Sequence, residues 1–361
     1  VASGITMAAV GATGGAGSTT LRILEERKFP IRELRVFASG RSVGKTVTFK
    51  GDALRIQRIE PAAFKGVQIA ICAAGTAQSR EFSPVIARAG AVVVDKSNAF
   101  RMDPAVPLVV PQVNGHAVKG HHGIVASPNC TTIVTVMPLK PLHDAARLRR
   151  VVATSYQSVS GAGVNGIEDL RQQTLAWARG EAMVPRHFAH RIAFNLIPAI
   201  DAFRPDGYTG EEMKLVNETR KILETPDLPI APTTVRVPVF TCHSVAVNAE
   251  TDEKISAERA REVFARFPGL KVCDDPAEQR YPMPVSVEGQ DDCWVGRIRD
   301  DLSHPRALNF CVVGDQLRKG AATNAVQIAQ ALEDQGAGAR VGRSRWARPG
   351  WAHPRRWGRC A

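Results

Sequence analysis

Seven cysteines and nine histidines are spread over 361 residues, and one of each stands where it could do chemistry. Cys130 follows Pro128-Asn129 and precedes the apolar run Ile133-Val134-Thr135-Val136-Met137, which reads as the start of a helix. A sulfur at a helix N-terminus faces unpaired backbone N–H groups and the positive end of the macrodipole. The expectation is a depressed thiol pKa and a nucleophile. A nucleophilic thiol wants an acid/base partner. His243 is the best placed, in Arg236-Val237-Pro238-Val239-Phe240-Thr241-Cys242-His243-Ser244, near the centre of what reads as one apolar strand from Thr234 to Ala249. Seven residues of flat strand turn Arg236 and His243 to opposite faces, so a bend at Pro238 is needed to bring them together. Taken alone, His243 stands equally as a satisfied core residue or a functional one.

The elements before Cys130 suit a nucleotide site. Residues 4–10 form an apolar strand, Gly11-Ala12-Thr13-Gly14-Gly15-Ala16-Gly17 a glycine turn, and Ser18 to Arg27 a helix. This order is the context of a dinucleotide-binding fingerprint, here spaced G-x-x-G-x-x-G. Gly11 permits the tight turn, Gly14 admits a pyrophosphate against the backbone and Gly17 allows close helix–strand packing. The next strand, Leu34 to Ala38, ends without the acid that would hold a ribose 2′-hydroxyl; Ser39, Arg41 and Ser42 stand there, with Lys45 nearby, and suit a 2′-phosphate. The cofactor expected is therefore NADP. Two further buried strands, Val67–Gly75 and Ala91–Asp95, flank a helix at Pro84 to Ala89, and the alternation indicates a doubly wound parallel sheet. Ligands gather at the carboxyl ends of such strands, which places Gly75 and Lys96-Ser97-Asn98 near the cofactor.

After Cys130 the segments 149–158, 234–249, 270–274, 293–299 and 307–314 read as longer, alternating strands of a second, more antiparallel domain. A helix at 325–333, opened by Lys319-Gly320-Ala321, returns to the first. Hydrophobic residues at 44% and charged ones at 23% are ordinary for a globular protein, and no apolar run reaches the roughly 20 residues of a membrane span. With no signal-type segment ahead of the first strand and no paired cysteine spacing, a reducing cytoplasm is expected. The net charge of +12 invites a nucleic-acid reading, but seven arginines and no acid lie in 336–361. That stretch reads as a disordered basic tail, and nucleic acid is not expected as a partner of the folded body.

Several motifs in this order resemble the aspartate-semialdehyde dehydrogenase family over residues 4–335: Gly11-Ala12-Thr13-Gly14, Phe100-Arg101-Met102, Pro128-Asn129-Cys130-Thr131-Thr132, Tyr156-Gln157 before Ser160-Gly161, Glu211-Glu212-Met213-Lys214, Arg236 to Ser244, and Lys319 to Ala325. The resemblance implies an α/β chain with a Rossmann-type domain over 1–129, completed by helix 319–335. It implies a second α+β catalytic and dimerisation domain over 130–318, like that of glyceraldehyde-3-phosphate dehydrogenases. The implied reaction is the reversible, NADP-linked, phosphate-dependent conversion of L-aspartate 4-semialdehyde to L-4-aspartyl phosphate by a homodimer, with no metal. By that likeness Cys130 is the nucleophile, His243 the acid/base catalyst and Gln157 an orienting residue. Asn129 and the Cys130 N–H are oxyanion donors. Arg236 takes the α-carboxylate, Glu212 the ammonium, and Arg101 and Lys214 the phosphate. Thr13, Gly15, Ala16 and Asn324 join the cofactor site.

The chain departs from the family pattern at Lys96, where Asp-Asn-Ser-Ser is usual, at Gly15-Ala16 and at Thr323. Two other readings stay open: a reductase of a related acyl phosphate or acyl-CoA, and a non-catalytic nucleotide- or nucleic-acid-binding protein. Against an N-acetyl-glutamyl phosphate reductase, this chain has Pro-Asn-Cys where that family resembles Pro-Gly-Cys. Against a dead enzyme, Cys130 and His243 are both present.

Overall fold

The computed structural model describes residues 4–38 and 40–336, apart from the Arg41 side chain. Ser39 and all of the expected tail except Gly336 lie outside the described residues. The first sheet is built from β1 (Ile5–Val10), β2 (Ile31–Ala38), β5 (Gln57–Arg58), β6 (Ile69–Cys72), β7 (Val92–Asp95) and β8 (Ile124–Ala126). A hairpin, β3 (Thr46–Phe49) and β4 (Asp52–Arg55), stands apart. The order in the sheet is β5-β2-β1-β6-β7-β8 and every pairing is parallel. Its central strands are buried on both faces, which is why they read as continuous apolar runs.

Helix α1 (Gly15–Glu26) and the C-terminal α9 (Thr323–Asp334) cover one face, where Met7, Ala9, Ile69 and Val94 meet Leu21, Leu24, Val326 and Ile328. Helix α2 (Thr76–Arg88) covers the other, with Ile86 against the side of Ala8, Val10 and Ala70. That helix is longer than the expected Pro84–Ala89, and Pro84 lies inside it. A single helical turn, α3 (Pro111–Asn114), precedes β8.

The second sheet contains β9 (Leu148–Gln157), β10 (Ile230–Arg236), β11 (His243–Thr251), β12 (Leu270–Val272), β13 (Cys293–Asp300) and β14 (Ala307–Gly314), in the order β10-β9-β11-β14-β13-β12. Its three central pairings are antiparallel and its two edge pairings parallel. The expected strand 234–249 is two strands. Proline has no N–H for a ladder, and Pro238 falls in the turn 237–242, which closes at Cys242 with φ +67°.

Helix α4 (Cys130–Ala146) packs on the second sheet and buries nearly every side chain from Thr131 to Leu142. Around it lie α5 (Val164–Ala178), α6 (Gly210–Ile222), α7 (Ala257–Arg266) and the short α8 (Pro284–Val287). Among the described residues no helix is long and apolar enough to cross a membrane, and no group of three or more His, Cys, Asp or Glu side chains could hold a metal ion.

Candidate active site

The sheet register assembles the site. Arg236 of β10 is paired with Gln157 of β9, and Gln157 with His243 of β11. Residues directly opposite on neighbouring strands project to the same face, so these three side chains form one row. Arg236 and His243 thus share a face because they end and begin separate strands. All three are buried, at 7%, 1% and 0% exposure.

Facing the row is the first residue of α4. Asn129 caps the helix: its Oδ1 accepts from the N–H groups of Thr131 (2.9 Å) and Thr132 (3.3 Å). Cys130 Sγ lies 3.4 Å from His243 Nε2. Gly161 and Gly320 leave this space open. A Cβ at Gly161 would lie 2.8 Å from Arg236 Nη1 and 3.1 Å from His243 Nε2, and one at Gly320 would lie 3.2 Å from Cys130 Cβ.

The thiol is not depressed. Burial, then the Glu211 carboxylate, push it up to about 11, against the opposing pull of Arg101 and Arg236. Loss of hydration is the largest cause of the shift. Burial, helped by the Arg236 guanidinium, pushes His243 down to about 3, so the ring is neutral at physiological pH. Thiol and neutral imidazole, not an ion pair, face each other in the protein alone.

Helix α6 carries a second correction. Thr209 and Glu212 form a reciprocal capping box, with Glu212 Oε2 accepting from the Thr209 N–H at 2.7 Å. Glu212 Oε1 accepts from the Thr234 N–H at 3.1 Å. Both oxygens of the residue expected to meet an ammonium are therefore held by backbone. Glu211 is the carboxylate that faces the site: Oε1 accepts from Asn129 Nδ2 (3.0 Å) and Gln157 Nε2 (3.2 Å), and Oε2 meets Lys214 Nζ at 3.2 Å. The signal was in the sequence, because Thr-x-x-Glu at 209–212 is itself a capping pattern.

Lys214 also pairs with Asp201 Oδ2 at 2.8 Å. Burial works to lower its ammonium, but Glu211 and Asp201 together hold it above its ordinary value. One turn further along the same helix face, buried Glu218 joins two elements: Oε1 pairs with Arg101 Nη1 at 3.0 Å and Oε2 accepts from the Asn129 N–H at 2.6 Å. Arg101 is 7% exposed, and also donates to the carbonyls of Ser127 (3.0 Å) and Lys96 (2.9 Å). Three of its five N–H groups are used within the protein. Arg236 donates to the Ser158 carbonyl at 2.7 Å, and its guanidinium borders a cavity of about 400 Å³ walled by Phe188, Ile197 and Phe203.

At the carboxyl end of β1, on the same edge of the first sheet as Lys96 and Ser127, Gly11 takes φ +81°, and a Cβ there would lie 2.9 Å from the Ala73 carbonyl. A Cβ at Gly17 would lie 2.1 Å from the Gly11 carbonyl, so strand and helix meet backbone to backbone. Thr13, Gly14 and Gly15 are exposed at the start of α1, where no side chain caps the helix, so its first N–H groups are left for an anion. Thr13 Oγ1 is 3.3 Å from Ser42 Oγ, and Gly75 begins α2 in the same manner. Ala16 turns its carbonyl to Lys96 Nζ, which lies 3.2 Å from it and 3.2 Å from Thr20 Oγ1 and which burial lowers to about 8. Lys96 is thus tied to the first turn of α1. Asn324 is not free for a cofactor. It is fully buried, donates to the Val109 carbonyl and Ser127 Oγ at 3.0 Å each, and accepts from Lys319 at 3.2 Å.

Comparison with known proteins bears on this arrangement. Residues 6–121 match the family described as semialdehyde dehydrogenase, NAD binding domain, and residues 139–319 the semialdehyde dehydrogenase dimerisation domain. An aspartate-semialdehyde dehydrogenase of Aquifex aeolicus is 50% identical over 337 residues, covering 92% of this chain and 99% of that protein. One from Prochlorococcus marinus is 46% identical, covering 91% and 96%. The crystal structure of aspartate semialdehyde dehydrogenase II from Vibrio cholerae superposes with a TM-score of 0.89 at 44% identity, covering 92% of this chain and 99% of that one, and a second structure of that enzyme is complexed with ASA.

Proposed function

The chain belongs to the aspartate-semialdehyde dehydrogenase family of oxidoreductases, and from that premise we propose that it interconverts L-aspartate 4-semialdehyde and L-4-aspartyl phosphate with NADP and phosphate. The observation that carries this reading is the sulfur of Cys130 at a helix start, 3.4 Å from His243 Nε2 and opposite a row that also holds Gln157 and Arg236. Arg236 takes the α-carboxylate in a bidentate pair, and Glu211, in place of Glu212, takes the ammonium. With both ends of the amino acid held, the aldehyde carbon comes to Cys130 Sγ. The C–S bond forms and the thiol proton passes to the aldehyde oxygen, giving a thiohemiacetal. His243 is the hydrogen-bonding partner of that oxygen, and Asn129 Nδ2 and the Cys130 N–H are its further donors.

NADP, when bound, would supply the hydride acceptor that turns the thiohemiacetal into a thioester, the hydroxyl proton leaving to solvent, and the exposed Thr13-Gly14-Gly15 turn with Ala16, Ser42 and Gly75 would hold it. Preference for NADP over NAD is supported by the absence of an acid after Ala38 and by the hydroxyls and cation at Ser39, Ser42 and Arg41. Arg101 and Lys214 hold phosphate, whose oxygen displaces the Cys130 sulfur from the acyl carbon. Two copies pair through the second domain, where Tyr156 of β9 (41%) and Phe240 of the turn after β10 (44%) are exposed.

The test is NADPH formation from semialdehyde with phosphate present and then omitted, repeated with NAD. Turnover that needs phosphate and prefers NADP supports the reading. Equal turnover without phosphate would favour a simple aldehyde oxidation, and turnover that needs added CoA in place of phosphate would favour an acyl-CoA reductase.

A further inference from the structure

Behind His243, on the side away from Cys130, runs a row of buried polar groups with no part in the mechanism above. His243 Nδ1 lies 3.2 Å from the backbone nitrogen of Ser158 and 3.2 Å from Ser158 Oγ. Ser158 Oγ is 3.1 Å from Ser160 Oγ, and Ser160 Oγ accepts from Gln316 Nε2. Gln316 Oε1 in turn accepts from the Cys242 N–H at 2.7 Å. Ser158, Ser160 and Gln316 are 0%, 3% and 2% exposed.

The direction of this row is fixed at both ends. A backbone N–H only donates, so Cys242 sets which end of the Gln316 amide is oxygen and which is nitrogen. Nε2 of Gln316 must then donate to Ser160 Oγ, which leaves the Ser160 hydroxyl proton for Ser158 and the Ser158 hydroxyl proton for His243 Nδ1. The Ser158 N–H points at the same nitrogen, so a proton on Nδ1 would oppose two donors. Among the described residues no carboxylate hydrogen-bonds Nδ1 to support one. The charged and titratable groups around the ring are Cys130 of α4 at Nε2, Arg236 of β10, and, beyond the sulfur, Glu211 of α6 and Arg101. Burial and then Arg236 act against an imidazolium, in agreement with the row, and outweigh a backbone hydrogen bond to Cys242 that works the other way.

We infer that Gln316, acting through Ser160 and Ser158, holds His243 in the tautomer with its proton on Nε2, so that the ring meets Cys130 and the substrate oxygen as a hydrogen-bond donor. The inference rests on the proposed pairing of Cys130 and His243 and refines what the histidine does there: the oxygen of the adduct is met by an N–H, not by a lone pair. Gln316 and the two serines are positioning residues. They act on the reaction only through the ring.

The experiment is a nitrogen-15 spectrum of the histidine-labelled full chain, with His243→Asn used to assign the resonance. A bare Nδ1 and a protonated Nε2 are expected from about pH 8 to about pH 5, well below the ordinary imidazole value of about 6.5. Gln316→Glu keeps the size and the acceptor for Cys242 but replaces the donor by an oxygen, which reverses the row and turns a Ser158 lone pair to Nδ1. The ring should then gain a second proton at about pH 5 or above, an upward shift of about two units or more from about 3. The uncharged Gln316→Met should shift it the same way by less, which separates the direction of the row from the added charge. A bare Nε2 in the unmodified protein would overturn the inference. So would spectra of both variants identical to the parent, since the Ser158 N–H alone would then set the tautomer. Failure of the unmodified chain to turn over semialdehyde would strike the proposed function instead, and would leave these spectra unchanged.

Discussion

Replacing Glu211 by glutamine pulls thiol reactivity and substrate affinity in opposite directions. The substitution keeps the oxygen that accepts from Asn129 and Gln157 but removes the charge that raises the Cys130 thiol. As a yardstick, two unit charges roughly 7 Å apart at an effective dielectric of about 20 interact by about 2.4 kcal/mol, here in favour of the protonated thiol. Lys214, 3.2 Å from the same carboxylate, cancels part of it. If about half survives, the thiol falls by about one pK unit and the thiolate fraction at fixed pH rises about tenfold. A less basic thiolate is also a poorer nucleophile, so exchange with a small aromatic disulfide should quicken only about 3- to 4-fold. The assay follows that exchange against pH, with Cys130→Ala subtracting the other cysteines. In the parent protein the rate should climb well past neutrality toward the value of about 11. In Glu211→Gln the curve should move down in pH while the KM for semialdehyde rises about tenfold or more. General damage to the site would depress both. An unchanged or slower exchange in a variant with the parent's melting temperature would refute the electrostatic argument.

Arg236→Lys should lower kcat/KM by roughly 10- to 100-fold, mainly through KM, because an ammonium cannot form the bidentate pair and also loses the bond to the Ser158 carbonyl; an unchanged KM would remove the carboxylate assignment. Glu212→Ala should leave KM close to the parent value and lower stability by about 1–3 kcal/mol, since it strands the buried N–H groups of Thr209 and Thr234. Thermal melting beside steady-state kinetics reads both, and a large rise in KM at constant stability would return the ammonium to Glu212.

Much of the scaffold could be read because it is local. The glycine turn follows from backbone demands at Gly11 and Gly17, and the helix beginning at Cys130 from a cap residue ahead of an apolar run. What escaped was set by residues distant in sequence. A helix start is visible in the chain, but the burial that raises the Cys130 thiol, and the Glu211 carboxylate that adds to it, arise only in the folded protein. Arg101 reads as a surface cation until Glu218, more than a hundred residues later, is brought to it. Pro238 announced the bend between Arg236 and His243, yet the shared row depends on β9 lying between their strands. At Glu211 and Glu212 the relevant cue was local and was passed over, since the capping pattern assigns the second glutamate to backbone. Asn324, by contrast, is a strut because of partners distant in sequence, Val109 and Ser127.

The claim under all of this is that Cys130 carries the substrate covalently. Mixing the protein with semialdehyde and NADP in the absence of phosphate should give about one NADPH per active site and then stall, with the acyl group found by mass spectrometry on the peptide containing Cys130. Sustained NADPH production without phosphate, or a burst with no adduct on that cysteine, would contradict the account.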